Sequence, residues 1–344
     1  MSASFGKSPA RILISVIIPA LNEERVIGRC LDCIASQTLP SDQIEVLVID
    51  NGSRDKTVEI ARSFARQLHL QVFELKNAKI GALRNLGAQQ AQGEYLAFLD
   101  ADCLASPAWL SHALEIFSQY ASSVIGAPYG IPVESTWVAR AWHGHQKGKL
   151  GEVSYIPGGD LLIRRTDFHL VGGFDESLQT NEDYEFCRRA MKSGLTIRAF
   201  AELSVCHLGT PQSLSEFYRK QRWHGRHVFR VFLRSLPRLR NLSSVAFAFY
   251  VLFCLSGLAC GAIIALLFGD LTGLLIFAVA ILLAPLLLSL RSTLRRRNLS
   301  NVLPLAVLFL AFGIARAVCL LGLGTDRVTQ ARLPMQVVGG NSRS

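Results

Sequence analysis

An α/β domain on a mostly parallel sheet, followed by a helical segment that enters a membrane, is the architecture the sequence predicts. Three observations carry it. Apolar runs of strand length alternate with helix-length amphipathic runs through residues 1–215, the pattern of a parallel sheet with helices on both faces. Polar groups gather where the strand-like runs end, at Asn22 and Glu23, at Asp50, and at Asp100 and Asp102. Sheets of this kind bind ligands beyond the carboxyl ends of their strands. From residue 245 to 323 the composition turns to Leu, Ala, Val, Ile and Phe, which suits helices in hydrocarbon.

The elements follow in order. Residues 12–18 read as a buried strand ended by Pro19, and a helix with an apolar stripe follows from about Glu23 to Ser36. Residues 44–49 form a second strand running into Asp50-Asn51-Gly52-Ser53, with a helix from near Asp55 to Gln67. A third strand spans 70–75, a third helix 81–91 and a fourth strand 94–99. Cys30 and Cys33 form a lone C-x-x-C on a helical pattern, which reads as packing. His143 and His145 fall in an insertion at 129–157 and read as loop residues.

Past a basic amphipathic linker at 216–244, three stretches have the length of membrane spans, at about 245–268, 271–290 and 302–323; a short tail occupies 324–344. The third contains Arg316, so it is either a span or a tilted or re-entrant interfacial helix. Eight basic residues precede the first span, namely Arg219, Lys220, Arg222, Arg226, Arg230, Arg234, Arg238 and Arg240, and Arg291, Arg295, Arg296 and Arg297 follow the second. Only Gly269 and Asp270 separate those spans, so both basic clusters share one side, which the positive-inside rule makes cytoplasmic. The expected location is a multi-pass protein of the inner (plasma) membrane with residues 1–215 in the cytosol, where thiols stay reduced. Anionic membrane lipids account for the net charge of +10 without nucleic acid.

The fourth strand raises the chemical question, because Phe98-Leu99 runs straight into Asp100-Ala101-Asp102. Two carboxylates this close repel unless a cation joins them or one keeps its proton. Neither the dinucleotide fingerprint nor the phosphate-binding P-loop is present. Diphosphate would therefore need a metal, Mg or Mn on hard oxygen ligands, and basic side chains. Arg84 can neutralise phosphate or orient an aspartate. An isolated D-x-D is also compatible with a plain strand end, and Glu182-Asp183 with helix N-terminal charge.

Six segments in order and at similar spacing break that tie: "SVIIPALNEE" (15–24), "VIDNGSRDKT" (48–57), "KIGALRNLGAQQAQGEYLAFLDAD" (79–102), "GGDLLIRR" (158–165), "VGGFDESL" (171–178) and "NEDYEFCRRA" (181–190). Over roughly residues 12–230 the chain resembles family-2 glycosyltransferases of bacterial membrane-anchored type. These are inverting enzymes of the GT-A fold, a Rossmann-like nucleotide-diphospho-sugar transferase sheet.

The resemblance implies a nucleoside pocket lined by Pro19, Ala20 and Glu23, with Asp50 on the base and Asn51 in place of a second aspartate. It places Gly81, Arg84 and Asp100 on the donor side, Asp102 on the metal and Asp183 as general base beside Glu182. His207 stands where some relatives have a third metal ligand, or serves packing. Arg222 and Trp223 resemble the end of a Q-x-x-R-W segment whose leading glutamine is Arg219 here; they face diphosphate and acceptor, or lipid headgroups.

The implied partners are a nucleotide-diphospho-sugar, a UDP-sugar foremost, and a lipid-linked or cell-envelope glycan acceptor at the cytosolic membrane face. A processive polysaccharide synthase and a non-catalytic nucleotide-sugar-binding scaffold are the alternatives.

Overall fold

The structure, a computed structural model, describes residues 11–146, 148–225 and 242–322. It divides into two compact units, Met1–Pro132 with Lys147–Gly209, and Val133–Gln146 with Thr210–Ser344.

The first unit opens with β1 (Ile14–Ala20), α1 (Ile27–Ala35), β2 (Ile44–Asp50), α2 (Thr57–Ser63), β3 (His69–Glu74), α3 (Ile80–Gln90) and β4 (Tyr95–Leu99). It continues through β5 (Cys103–Leu104), α4 (Trp109–Gln119) and β6 (Ser123–Gly126). Helix α5 (Trp137–Gln146) belongs to the second unit. The chain returns with β7 (Gly151–Glu152), β8 (Asp160–Arg164), α6 (Arg165–Val171), α7 (Glu182–Lys192), β9 (Thr196–Ala199) and β10 (Cys206–His207).

Eight strands form one sheet in the order β3-β2-β1-β4-β8-β6-β9-β7. The first four are mutually parallel, whereas β8 runs antiparallel to both β4 and β6, so the sheet is mixed. Period-two alternation sorts the side chains between two cores. Val16, Ile18, Ala97 and Leu99 pack on one face, and Ile17, Leu96 and Phe98 on the other.

Pro19 does not end β1. It pairs with Ile49 of β2 in register, while the ladder to β4 stops at Ile17–Phe98. Ala20 presents its carbonyl to β2, accepting from Asn51 N at 2.9 Å. By alternation the missing N–H of Pro19 points to the side that β4 has left, so no bond is lost.

The second unit holds α5, α8 (Leu214–Gly225), α9 (Leu242–Phe268), α10 (Thr272–Arg296) and α11 (Val302–Leu320). His143 and His145, expected in a loop, lie on α5, whose Val138 and Ala141 pack with Phe217 of α8 and Leu308 of α11. The partners of that stripe lie far along the chain, which hid the helix. Helices α9 and α10 form an antiparallel hairpin: Gly261 lets Leu274 approach and Gly257 lies against the Phe277 ring.

Among the described residues, three helices are long and apolar enough to cross a membrane. The third is the most enclosed, 33% of its most apolar window being buried against 17% and 11% for the others. Arg316 is buried on it, its Nη2 donating to Gln221 Oε1 at 3.3 Å and its guanidinium lying 4.7 Å from the Phe312 ring centroid. A charge of this kind in an apolar helix is tolerated when turned to protein partners. Of the basic linker, Arg226, Arg230, Arg234, Arg238 and Arg240 fall outside the described residues.

Candidate active site

Strand β4 delivers Asp100 to the carboxyl edge of the parallel strands, and the chain turns at once, Cys103 N donating to Asp100 O at 2.9 Å. The two-residue strand β5 then pairs with β10, setting His207 opposite Cys103, and Leu208 N donates to Asp102 O at 2.8 Å. This ribbon carries a residue distant in sequence to the D-x-D. His207 Nε2 stands 3.6 Å from Asp102 Oδ2, and the Tyr129 ring stacks on the imidazole at 4.8 Å. Among the described residues no three His, Cys, Asp or Glu side chains gather to hold a metal ion on their own.

Asp100 has a different task from Asp102. Its Oδ1 accepts from Arg84 Nη2 at 2.8 Å and its Oδ2 from Tyr129 Oη at 3.2 Å. Arg84 projects from α3 into the interior, 3% exposed, and its Nη1 donates to Glu182 Oε1 at 2.6 Å. One guanidinium thus ties the end of β4 to the first turn of α7. Burial alone would lower the Arg84 pKa, but the charges of Asp100 and Glu182 outweigh it and hold the group protonated. Burial raises the pKa of Glu182 against the opposing pull of Arg84. The phenol of Tyr129 is pushed well up by burial and by Asp100, so it stays a donor.

Asp183 follows Glu182 on the half-buried start of α7. Its Oδ2 accepts from Tyr155 Oη and from Gly158 N, each at 3.0 Å, and its Oδ1 from Tyr184 N at 2.7 Å. The donors fix the carboxylate while Tyr155 and Tyr184, both exposed, flank it with rings 6.1 Å apart. Helix α7 starts from Asn181 at φ 65°, a left-handed conformation that Asn tolerates and β-branched residues do not.

Glycines make the floor. A Cβ on Gly158 would fall 2.5 Å from Arg84 Nη1, and one on Gly159 would fall 2.1 Å from Asp100 Oδ2 and 2.5 Å from Tyr129 Oη. Beneath them Asp160 is fully buried, accepting from Trp109 Nε1 at 3.2 Å and from Ala127 N at 3.0 Å. Burial raises its pKa well above the usual carboxylate range.

At the neighbouring strand ends, Pro19 and Ala20 close β1 and Glu23 is buried in the loop that follows, its N–H donating to Thr57 Oγ1 at 2.6 Å. Asp50 is buried, its Oδ2 accepting from Gly52 N and Ser53 N at 2.9 Å each, while its Oδ1 has no hydrogen-bond partner. Asn51 pairs its amide in both directions with the backbone of Ala78, at 3.0 and 2.9 Å, and so pins the loop before α3. Gly81 serves packing, since a Cβ there would lie 3.2 Å from Asp175 O.

The structure therefore gathers Arg84, Asp100, Glu182 and Asp183, with Asp102 and His207 paired next to Asp100 in sequence. Arg222 and the exposed Trp223 lie on α8 of the second unit, with the Arg222 guanidinium 6.0 Å from the Tyr218 ring centroid. Sequence reasoning missed Tyr129 and Tyr155. The paired glycines 158–159 signalled a close backbone approach; nothing in the sequence pointed to the tyrosines.

The profile "Glycosyl transferase family group 2" matches residues 95–291 and "Glycosyl transferase family 2" matches residues 15–174. Glycosyltransferase AglE of Haloferax volcanii is 30% identical over 240 residues, 68% of this chain and 78% of its own. The poly(ribitol-phosphate) beta-N-acetylglucosaminyltransferase TarS of Staphylococcus aureus is 33% identical over 113 residues, 32% of this chain and 20% of its own. The mannosyltransferase PcManGT of Pyrobaculum calidifontis, solved with GDP-Man and Mn2+, superposes at TM-score 0.55 with 19% identity, covering 91% of this chain and 90% of its own. With a mixed α/β sheet of the GT-A type and acids gathered at its strand ends, the chain belongs to glycosyltransferase family 2.

Proposed function

We propose that the chain is an inverting glycosyltransferase that moves a sugar from a nucleotide-diphospho-sugar to a lipid-linked or cell-envelope glycan acceptor at the cytosolic membrane face. The observation that carries the reading is the Arg84 bridge. It holds the D-x-D strand end and the Glu182-Asp183 helix start together, so that an acid for the donor side and a base for the acceptor are fixed in one cluster.

In this reading Asp183 takes the proton of the acceptor hydroxyl as that oxygen bonds to the sugar C1 and the C1–O bond to the diphosphate breaks on the opposite face. Both electrons of the broken bond leave with the nucleoside diphosphate, and the configuration at C1 inverts. Three donors hold Asp183 in place for this step, and a positioned carboxylate contributes on the order of 100- to 10,000-fold. Arg84 acts as a positioning residue. Asp50 has a buried oxygen without a partner, which suits the N–H of a nucleobase.

Asp102 and His207 are the residues that would hold a divalent ion. Their oxygen and nitrogen face each other at 3.6 Å, and Gly209 leaves the room, since a Cβ there would lie 2.3 Å from Asp102 Oδ2. Two protein ligands suit Mg or Mn, whose remaining positions are filled by phosphate oxygens and water. When bound, such an ion neutralises charge on the leaving diphosphate.

Relatives are named for N-acetylglucosaminyl transfer or were solved with GDP-Man, so the donor is assigned by experiment. A panel of UDP-, GDP- and dTDP-sugars, scored for thermal stabilisation and for metal-dependent turnover, tests the reading. One nucleotide class should dominate, UDP-sugars by this account. Stabilisation without turnover of any donor, slow hydrolysis included, would support a binding scaffold instead.

A further inference from the structure

At the end of α10 the apolar run stops at Leu290 and four arginines follow at 291, 295, 296 and 297, the first three on the helix itself. With α5 and α11 those three line an open cavity of about 330 Å³ bordered by His145, Leu288, Arg291, Ser292, Arg295, Arg296 and Phe309. The lining is divided. Leu288 and Phe309 supply an apolar wall, and Trp142 backs it with its ring 5.2 Å from His145 and 6.3 Å from Phe309. The polar side is ordered: His145 Nδ1 and Ser292 Oγ share a hydrogen bond of 2.8 Å.

Burial and the nearby charge of Arg296 lower the His145 pKa, so the ring stays neutral and the cavity keeps its positive potential on the guanidinium groups. Among the described residues Arg291 and Arg295 enter no ion pair. Three arginines at the rim of a mostly apolar cavity match an anion that carries an aliphatic tail.

We infer that this cavity binds the phosphate ester of a membrane lipid whose headgroup is net anionic, with the headgroup on the arginines and the chain along Leu288 and Phe309. Arginine planes match phosphate oxygens two at a time, and the apolar wall continues into the hydrocarbon-length part of α10. Arginines smeared over an anionic bilayer would not need a cavity or an ordered histidine–serine pair. The inference rests on α9 and α10 lying in a membrane and is independent of the transfer chemistry.

The full chain, in nanodiscs of phosphatidylcholine with about a tenth phosphatidylglycerol, tests it when the lipids retained after extraction are counted by native mass spectrometry. Wild type should retain phosphatidylglycerol over phosphatidylcholine by about tenfold beyond the bulk ratio. Arg291→Gln with Arg295→Gln, both at exposed positions, should bring retention to the bulk ratio. Ser292→Leu, which fills the cavity and leaves every arginine, should do the same. Unchanged preference in Ser292→Leu overturns the cavity in favour of diffuse attraction.

Displacement of the lipid by millimolar inorganic phosphate overturns the lipid assignment. Retention of both lipids in bulk ratio by wild type overturns the site alone, and retention of neither overturns the membrane placement as well. An isoprenyl phosphate competitor separates the two sources of such an ester. Displacement at equimolar amounts assigns a carrier lipid and no displacement a bilayer lipid, each leaving a lipid phosphate in the cavity.

Discussion

Asp100 and Asp102 sit two residues apart and differ in everything that matters chemically. Asp100 spends both oxygens on Arg84 and Tyr129, whereas Asp102 faces His207 across 3.6 Å. The resemblance separated the pair, Asp100 to the donor side and Asp102 to the metal, but the groups that hold them apart, from α3, from the Tyr129 loop and from β10, were not legible. The same holds for Asp183, legible as a helix-start acid, while its donor Tyr155 comes from an irregular segment 28 residues earlier. Tyr155→Phe removes one hydrogen bond to a charged group, worth about 1.5–3 kcal/mol. We expect kcat to fall roughly 10- to 100-fold with donor KM unchanged; steady-state kinetics on the assigned donor reads this, and an equal rise in KM would place Tyr155 in binding instead.

Asp160 makes a residue-scale prediction with a sign. Its folded pKa is raised, so its stabilising contribution is complete below the unfolded value and is lost as pH rises through the folded one. Asp160→Asn opposes an amide N–H₂ to one of two fixed donors, at a cost of about 1–3 kcal/mol. The deficit against wild type should therefore be greatest in acid and shrink toward neutral pH. Thermal midpoints measured from pH 4 to 8 read the trend, and a deficit growing with pH would refute it.

At the scale of elements, β1, β2 and β4 were legible because they are largely apolar buried runs, while the edge strand β3 alternates exposed and half-buried residues. The parts that complete the site were not legible. Strands β5 and β10 are two residues each and exist only as a pair, and α5 hides its apolar stripe until α8 and α11 are in place. Arg84 joins α3, β4 and α7, so its loss leaves the buried Glu182 and the half-buried Asp100 without their cation. Arg84→Met should cost about 3–5 kcal/mol, and Arg84→Lys should recover only part, since an ammonium cannot serve both acids as a fork does. Chemical denaturation read by tryptophan fluorescence measures both; a loss under 1 kcal/mol for Arg84→Met would contradict the bridge. The turn into α7 adds a backbone test: Asn181→Gly should keep activity while Asn181→Val, at φ 65°, should lose most of it.

Over the whole molecule, composition alone divided catalytic-type sequence from membrane-type sequence, because hydrocarbon selects residues more sharply than any fold does. Among the described residues three helices are long and apolar enough to cross a membrane, and the unit that holds them also takes in residues 133–146, which composition left with the first domain. The topology is testable in a cysteine-free background: Asp270→Cys should react with a membrane-impermeant maleimide in intact cells and Asn298→Cys only after lysis. The reverse pattern would put residues 1–215 outside the cytosol.

The account stands most directly on Asp183 as the base. Purified wild type and Asp183→Asn should be stabilised equally by the same nucleotide-sugar. Only wild type should transfer the sugar, the variant falling by 100-fold or more in kcat. An Asp183→Asn enzyme turning over at the wild-type rate would contradict the account, however well the rest of the site is arranged.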